Sequence, residues 1–262
     1  MHTLYASLMT DQDLLELAFR LAHQAGEAIL AIRSRGFETL HKADASVVTE
    51  ADHAAEALIL EGLRQATPNI PAVAEEQMAA GHIPAEAREF WLVDPLDGTK
   101  EFAALRDDFA VCIGLVRDGI PVLGVVGAPA YNESFGGIVG RGAIKRDTTG
   151  QHPIEARLPP PEGIVVIASR SSARHPHVQP YLDGHTVAST SHVGSALKFC
   201  RIAEGAADLY PRFGRTMEWD TAAAQAMLEA AGGSVCDADT GLPLRYGKTG
   251  FENPHFIAKG RL

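Results

Sequence analysis

Trp91-Leu92-Val93-Asp94-Pro95-Leu96-Asp97-Gly98-Thr99-Lys100-Glu101-Phe102 is the stretch on which the reading of this chain turns. Residues 90–93 form an apolar run that predicts a strand, ending on Asp94-Pro95. Pro95 biases Asp94 toward an extended backbone and fixes its own φ for a turn, while Gly98 lets the backbone approach a ligand closely. Asp94 and Asp97, three positions apart across that turn, are spaced to share a hard divalent cation, with the Leu96 carbonyl as a further oxygen. Mg²⁺ suits such a set, because it keeps several waters and adds substrate phosphate to complete an octahedron. Past Gly98 a helix or turn is expected from Thr99, its free N–H groups facing an anion. Taken alone, the same residues also read as an ordinary turn with a helix cap.

Upstream, apolar residues recur every three or four positions through residues 11–33, which predicts a long amphipathic helix. Thr49-Glu50-Ala51-Asp52 resembles a capping sequence, and Ala55, Leu58, Ile59 and Leu63 supply the buried stripe of a second helix that stops at Thr67-Pro68. Residues 70–74 predict a strand ending on Glu75-Glu76. Downstream, residues 109–116 and 120–128 flank Arg117-Asp118-Gly119 as a β-hairpin, and residues 134–139 add another antiparallel strand. Residues 147–163, with Pro153, Pro159, Pro160 and Pro161, break the pattern, and place a boundary between a half of residues 1–150 and a half of residues 151–262. In the second half strands (164–168, 186–189, 208–210, 234–236) alternate with helices (176–182, 195–204, 221–231), so the fold class is α/β.

Three further acidic segments sit at element ends: Thr49-x-x-Asp52, Glu75-Glu76, and Glu218-Trp219-Asp220-Thr221 before an apolar helix. Each has a plain structural reading, Asp220 as an N-cap, Asp52 as the acid of a capping box, Glu75-Glu76 as a solvated loop. Together with Asp94 and Asp97 they suggest one carboxylate cage. There is no GxxxxGK[ST], HExxH or GxSxG motif. His175-Pro176-His177 reads as a surface loop.

The chain has 262 residues, 46% of them hydrophobic, with 33 acidic against 23 basic side chains for a net charge of −10. That balance opposes binding to nucleic-acid polymers, which relies on Lys and Arg. No apolar run approaches the roughly 18 residues of a membrane helix; the best, residues 109–130, is cut by Arg117, Asp118 and Pro121. With no secretory signal at its start and with Cys112, Cys200 and Cys236 far apart in apolar segments, the chain is expected in the cytoplasm with reduced, buried thiols. An anionic substrate would need a local reversal of charge, which a bound cation provides.

Asp94–Thr99 and Trp219-Asp220 resemble the Asp-Pro-Ile/Leu-Asp-Gly-Thr and late Trp-Asp motifs of the inositol monophosphatase superfamily of magnesium-dependent, lithium-sensitive phosphatases. The Lys100-Glu101-Phe102 extension, Gly194-Ser195-Ala196-Leu197-Lys198-Phe199-Cys200, Leu209-Tyr210-Pro211-Arg212-Phe213-Gly214 and Trp219-Asp220-Thr221-Ala222-Ala223 are similar to its bacterial 3'(2'),5'-bisphosphate nucleotidase branch. The resemblance implies a layered α/β/α/β/α sandwich, with a six-stranded antiparallel sheet half and a smaller mixed-sheet half. It implies two or three Mg²⁺ ions, one held by Glu75, Asp94 and the Leu96 carbonyl and another by Asp94, Asp97 and Asp220. Asp52 and Thr99 match the pair that orients and deprotonates the attacking water. Glu75, Leu96, Asp97, Gly98, Thr99, Lys100, Ser195, Lys198, Arg212 and Asp220 are then the expected substrate contacts, although Lys198 reads equally as a snorkelling surface lysine. Where the family often has Arg-Ser-His, this chain has Arg170-Ser171-Ser172, with His175 three positions later. The implied activity is conversion of adenosine 3',5'-bisphosphate to AMP and phosphate by a monomer or homodimer. Inositol 1-phosphate and fructose 1,6-bisphosphate are the alternative substrates.

Overall fold

The computed structural model describes residues 9–41, 47–82, 87–169 and 175–261; Arg170-Ser171-Ser172 lies outside them. Helix α1 (Asp11–Arg35) starts at Thr10, whose side chain and that of Asp13 form a reciprocal capping box. A short hairpin, β1 (Thr39–His41) and β2 (Val47–Thr49), leads into α2 (Glu50–Ala66), capped in the same way by Thr49 and Asp52. Strand β3 (Ala72–Ala74) and the five-residue α3 (Glu75–Ala79) precede β4 (Glu89–Asp97) and α4 (Thr99–Ala103). Strands β5 (Ala110–Arg117), β6 (Ile120–Ala128), β7 (Glu133–Ile138), β8 (Gly142–Asp147) and β9 (Gly150–Ile154) complete a sheet of order β3-β4-β5-β6-β7-β8-β9.

That sheet has the six antiparallel strands expected, β4 to β9, and gains a seventh, because β3 pairs parallel to β4. Strand β9 carries the sheet through Pro153 to Ile154, into the segment expected to break it. Pro153 is tolerated there because β9 is the edge strand and its missing N–H costs no ladder bond. The second sheet is built from β10 (Ile164–Ala168), β11 (Val187–His192), β12 (Leu209–Arg212), β13 (Ser234–Asp237) and β14 (Phe256–Lys259), ordered β11-β10-β12-β14-β13. It is mixed: β10 runs parallel to β11 and β12, and β14 antiparallel to β12 and β13.

Three apolar clusters define five layers. On one face of the first sheet Leu21 and Ile29 of α1 and Ile59 and Leu63 of α2 pack on Trp91, Val93, Ile113 and Val125. On the other face Leu92, Cys112, Val126 and Phe135 meet α6 (Leu197–Ala203) and α7 (Ala222–Ala230), whose far sides cover Tyr210, Val235 and Phe256 of the second sheet. Outside that sheet Val166, Leu209, Phe213 and Ile257 pack with Val178 of α5 (Val178–Leu182). The result is an α/β/α/β/α sandwich. Strands buried on both faces need apolar residues at every position, so β4 and β5 read as continuous runs instead of alternating patterns. Each fully buried Leu, Ile or Phe contributes roughly 1.5–3 kcal/mol.

One notch sets how α7 lies on the first sheet. Gly114 of β5 pairs directly with Gly124 of β6. A Cβ at Gly124 would stand 2.2 Å from the Ala223 oxygen, and one at Gly114 2.7 Å from the Ala223 nitrogen. The backbone of α7 therefore rests against the sheet itself, and Asp220, two residues before the helix, comes with it.

Candidate metal and phosphate site

Asp94 and Asp97 would point to opposite sides of a regular strand, whose side chains alternate with period two. They serve one site because β4 is irregular between them: Asp94 pairs with Cys112 and Asp97 with Ala110, so three steps on β4 match two on β5. The single extra residue brings both carboxylates to one side. The strand thus runs on to Asp97 instead of ending in a turn at Asp94-Pro95 as the sequence suggested, and the bulge accommodates the missing N–H of Pro95. The Asp94 Oδ1 accepts the Leu96 N–H at 3.0 Å, and the Asp97 Oδ2 accepts the Ala196 N–H. Gly98 follows in the left-handed region (φ 93°), where a Cβ would meet the Asp108 carbonyl at 2.9 Å and the Ser195 Cβ at 3.2 Å. Its small size therefore admits the Ser195 loop.

Thr99 opens α4, and its Oγ1 lies 2.9 Å from the Asp52 Oδ1 and 3.0 Å from the Leu96 carbonyl oxygen. Asp52 is buried, and its other oxygen accepts both the Thr49 N–H and the Thr49 hydroxyl at 2.8 Å. Asp52 is thus a capping residue and the partner of Thr99 at once. Burial raises its pKa, opposed by the hydrogen bonds from Thr49 and Thr99.

Glu75, the first residue of α3, and Asp220, fixed by the Met217 N–H at 2.8 Å, complete the acidic group. One carboxylate oxygen from each of Glu75, Asp94 and Asp220 lies within 4.8 Å of the others. Asp97 stands beside this trio, turned toward the Ala196 amide. Burial, then the charges of Glu75, Asp97 and Asp220, hold the Asp94 carboxyl well above its ordinary pKa. Burial and the Asp97 charge push Asp220 up to about 8, and burial raises Asp97 despite Lys198, the Ala196 N–H and Arg212. Carboxyl groups crowded and buried to this degree stay raised in pKa despite Lys198 and Arg212, and so favour a further positive charge among them. Their hard oxygen donors fit a divalent cation such as Mg²⁺, which would supply it.

Opposite the acids stand two cations. Lys198 is buried: its Nζ donates to the Ser195 carbonyl and lies 5.0 Å from the Tyr210 ring centre, and burial pulls its pKa down to about 8. It does not snorkel. The Arg212 Nη2 donates to the Arg215 carbonyl at 3.1 Å, whereas its buried Nε has no hydrogen-bond partner among the described residues. Ser195 holds an unusual φ of 51°.

These residues share a cleft of about 290 Å³. Glu75, Asp94, Leu96, Asp97, Gly98 and Thr99 line one side, with exposed Lys100 at the rim; Ser195, Lys198, Arg212 and Asp220 line the rest. Asp52 sits beneath, reached through Thr99. Three further buried acids, none of them assigned a role from the sequence, hold the backbone around the site. Glu56 accepts the Glu76 and Gln77 N–H groups; an acid at a stripe position one turn past Asp52 was its signal. Glu218 accepts the Gly247 N–H at 2.6 Å and pairs with Lys248 at 2.6 Å, anchoring the segment before Asp220. Asp108 accepts the Tyr131 hydroxyl and the Gly194 N–H, with no local signal in the sequence. His175 and His177 pack with His255 around Phe213, ring centres 5.2–6.3 Å apart, away from the cleft lining.

The profile of the inositol monophosphatase family matches residues 10–260. The chain is 41% identical over 246 residues to the 3'(2'),5'-bisphosphate nucleotidase CysQ of Escherichia coli O6:H1, covering 93% of this chain and 98% of that one. Among solved structures it is similar to CysQ from Bacteroides thetaiotaomicron, with a TM-score of 0.80, 34% identity and coverage of 96% and 98%. It is also similar to an inositol monophosphatase from Anabaena, with a TM-score of 0.76, 27% identity and coverage of 97% and 92%.

Proposed function

Because the chain belongs to the inositol monophosphatase family, we propose that it is a Mg²⁺-dependent phosphomonoesterase that converts adenosine 3',5'-bisphosphate to AMP and phosphate. The observation that carries this reading is the placing of the Glu75, Asp94 and Asp220 carboxylates against Asp97 and the Asp52–Thr99 pair, with Lys198 and Arg212 across the cleft. Glu75, Asp94 and the Leu96 carbonyl would hold one Mg²⁺, and Asp94, Asp97 and Asp220 another. When bound, the ions neutralise the phosphate oxygens, lower the pKa of the attacking water and stabilise the leaving alkoxide.

The chain's own residues orient the reaction. With Thr99 Oγ1–H directed to the Asp52 Oδ1, the oxygen of Thr99 keeps a lone pair for a proton of the attacking water. Asp52 then takes the Thr99 proton as that of the water arrives, so the proton ends on a carboxyl group held by two Thr49 bonds and the negative charge on the attacking oxygen. Lys198 and the orphan Nε of Arg212 are the donors for the second phosphate, which a plain phosphomonoester lacks. Ser195, Gly98 and Lys100 would border the nucleotide.

A single chain supplies every one of these groups, so the reading needs no second copy. Cys112 and Cys200 are buried and Cys236 half-buried, all three unpaired, and among the described residues no helix is long and apolar enough to cross a membrane. A cytoplasmic location, the expectation from the sequence, belongs to this proposal. The test is side-by-side kcat/KM at fixed Mg²⁺ on adenosine 3',5'-bisphosphate, inositol 1-phosphate and fructose 1,6-bisphosphate. The bisphosphorylated nucleotide is expected to lead, and a clear preference for inositol 1-phosphate would overturn the assignment.

A further inference from the structure

Helix α3 is five residues long, and Ala74 at its N-cap offers no side-chain acceptor to its first turn. The acceptor comes from another helix. Glu56, one turn past Asp52 on α2, is 5% exposed, and its two carboxylate oxygens take the Glu76 N–H at 2.8 Å and the Gln77 N–H at 3.0 Å. These are the second and third amides of α3, the pair that a local Ser, Thr or Asp cap serves in most helices. Glu56 is thus a cap supplied across space by a long helix to a short one.

The geometry matters because the first residue of α3 is Glu75, whose carboxylate meets those of Asp94 and Asp220. A single helical turn has little rigidity of its own, and β3 behind it is only three residues long. Three carboxyl groups converge where Glu75 sits, so the position of its backbone decides whether its oxygen reaches the other two. The two-oxygen clamp holds that backbone from α2, the helix that also carries Asp52. We propose that Glu56 is a positioning residue that aims Glu75 into the cage and thereby sets the affinity for the divalent cation, touching neither cation nor substrate. The proposal rests on the reading of Glu75 as a metal ligand.

The test is Mg²⁺ binding by calorimetry on metal-free protein without substrate, with kinetics beside it. In Glu56→Gln an NH₂ group faces one of the two amide donors, so one clamp bond is lost and a donor meets a donor. The Mg²⁺ Kd is expected to rise about 10–100-fold, the range found when residues that orient metal ligands are changed. At saturating Mg²⁺, kcat should recover to within about threefold, and the nucleotide KM should hold. A lower Tm with an unchanged Mg²⁺ Kd would mean a structural role only and overturn the proposal. Should Glu56→Gln fail to fold, Glu56→Asp keeps the charge but falls one methylene short, and an unchanged Kd there overturns it equally. Glu75→Gln separates the two readings: if it binds Mg²⁺ as wild type does, the ligand assignment fails, whereas a loss in Glu75→Gln with none in the Glu56 variants sinks only the clamp.

Discussion

Asp52→Asn isolates proton handling from folding and from metal binding. The Asp52 Oδ2 accepts the Thr49 N–H and the Thr49 hydroxyl, both at 2.8 Å, so the amide oxygen of Asn must stay there. Its NH₂ then occupies the place of Oδ1, 2.9 Å from the Thr99 Oγ1. Thr99 answers by donating to the Leu96 carbonyl, 3.0 Å away, and accepting from the Asn. Every hydrogen bond survives, and what is lost is charge assistance, roughly 1 kcal/mol, partly offset because a buried carboxylate no longer needs to be ionised. For a chain of this size that limits the Tm change to about 2–4 °C. Activity behaves otherwise. Asn cannot take the Thr99 proton, and loss of general-base assistance costs about 10²–10⁴ in kcat, or roughly 2.7–5.5 kcal/mol of barrier. Phosphate release from adenosine 3',5'-bisphosphate at saturating Mg²⁺ reads the first effect and a circular-dichroism melt the second. Thr99→Ala should lose about as much, and the double variant little more, because the two act as one unit. An Asp52→Asn enzyme with kcat within about threefold of wild type would exclude Asp52 as the group that takes the proton.

Further outcomes follow from the same contacts. Asp94, Asp97 and Asp220 hold their protons more tightly in the fold than in the unfolded chain, Asp220 at about 8 against 3.8. Their stabilising contribution is therefore complete below about pH 4 and is lost as the pH climbs toward 8. The Tm in EDTA should fall from pH 5 to pH 8, and Mg²⁺ should raise it more at pH 8 than at pH 5; a rising metal-free Tm across that window contradicts the cage. Lys198, with its pKa near 8, works in the opposite sense only above that window. Arg212→Ala removes a charge-assisted contact of about 1.5–3 kcal/mol, so KM for adenosine 3',5'-bisphosphate should rise at least about tenfold. KM for adenosine 3'-monophosphate should change far less, and equal shifts would deny Arg212 the second phosphate. Gly124→Ala puts a methyl 2.2 Å from the Ala223 oxygen. Overpacking of that kind costs about 1–3 kcal/mol, visible in a melt. Displacing α7 carries Asp220 away from Asp94, so a Mg²⁺ titration should weaken too.

Much of this was legible because the chemistry is local. Thr49-x-x-Asp52 forms the box its spacing suggests, and Pro95, Gly98 and Thr99 each carry their own conformational preference. The amphipathic stripe of α1 and the Arg117-Asp118-Gly119 hairpin needed nothing beyond neighbours in sequence. What stayed hidden depends on partners distant along the chain. The bulge that turns Asp94 and Asp97 to one side is a matter of register with β5, and no residue type announces it. Strand β9, whose residues are mostly exposed, lacks the apolar alternation that marks a strand; β3 falls within the strand predicted over 70–74, and only its parallel pairing with β4 was not legible. Lys198 resembled a surface lysine because its burial is decided by Tyr210 and the Ser195 loop. Cys236 was expected to be buried, yet lies half-exposed on an edge strand of the second sheet.

The middle layer of the sandwich has a kinetic meaning. Helices α6 and α7 carry apolar residues into both sheets at once, among them Leu197, Phe199, Ile202, Met227 and Leu228, so prising the sheets apart would cost several times the roughly 1.5–3 kcal/mol of each such side chain. The cleft between them cannot shut like a jaw. An enzyme that hands phosphate to another metabolite must close over its substrate to keep water out. For a hydrolase, water is the second reactant, so the groove, with Lys100 at its exposed rim, has no need to close by moving one sheet against the other.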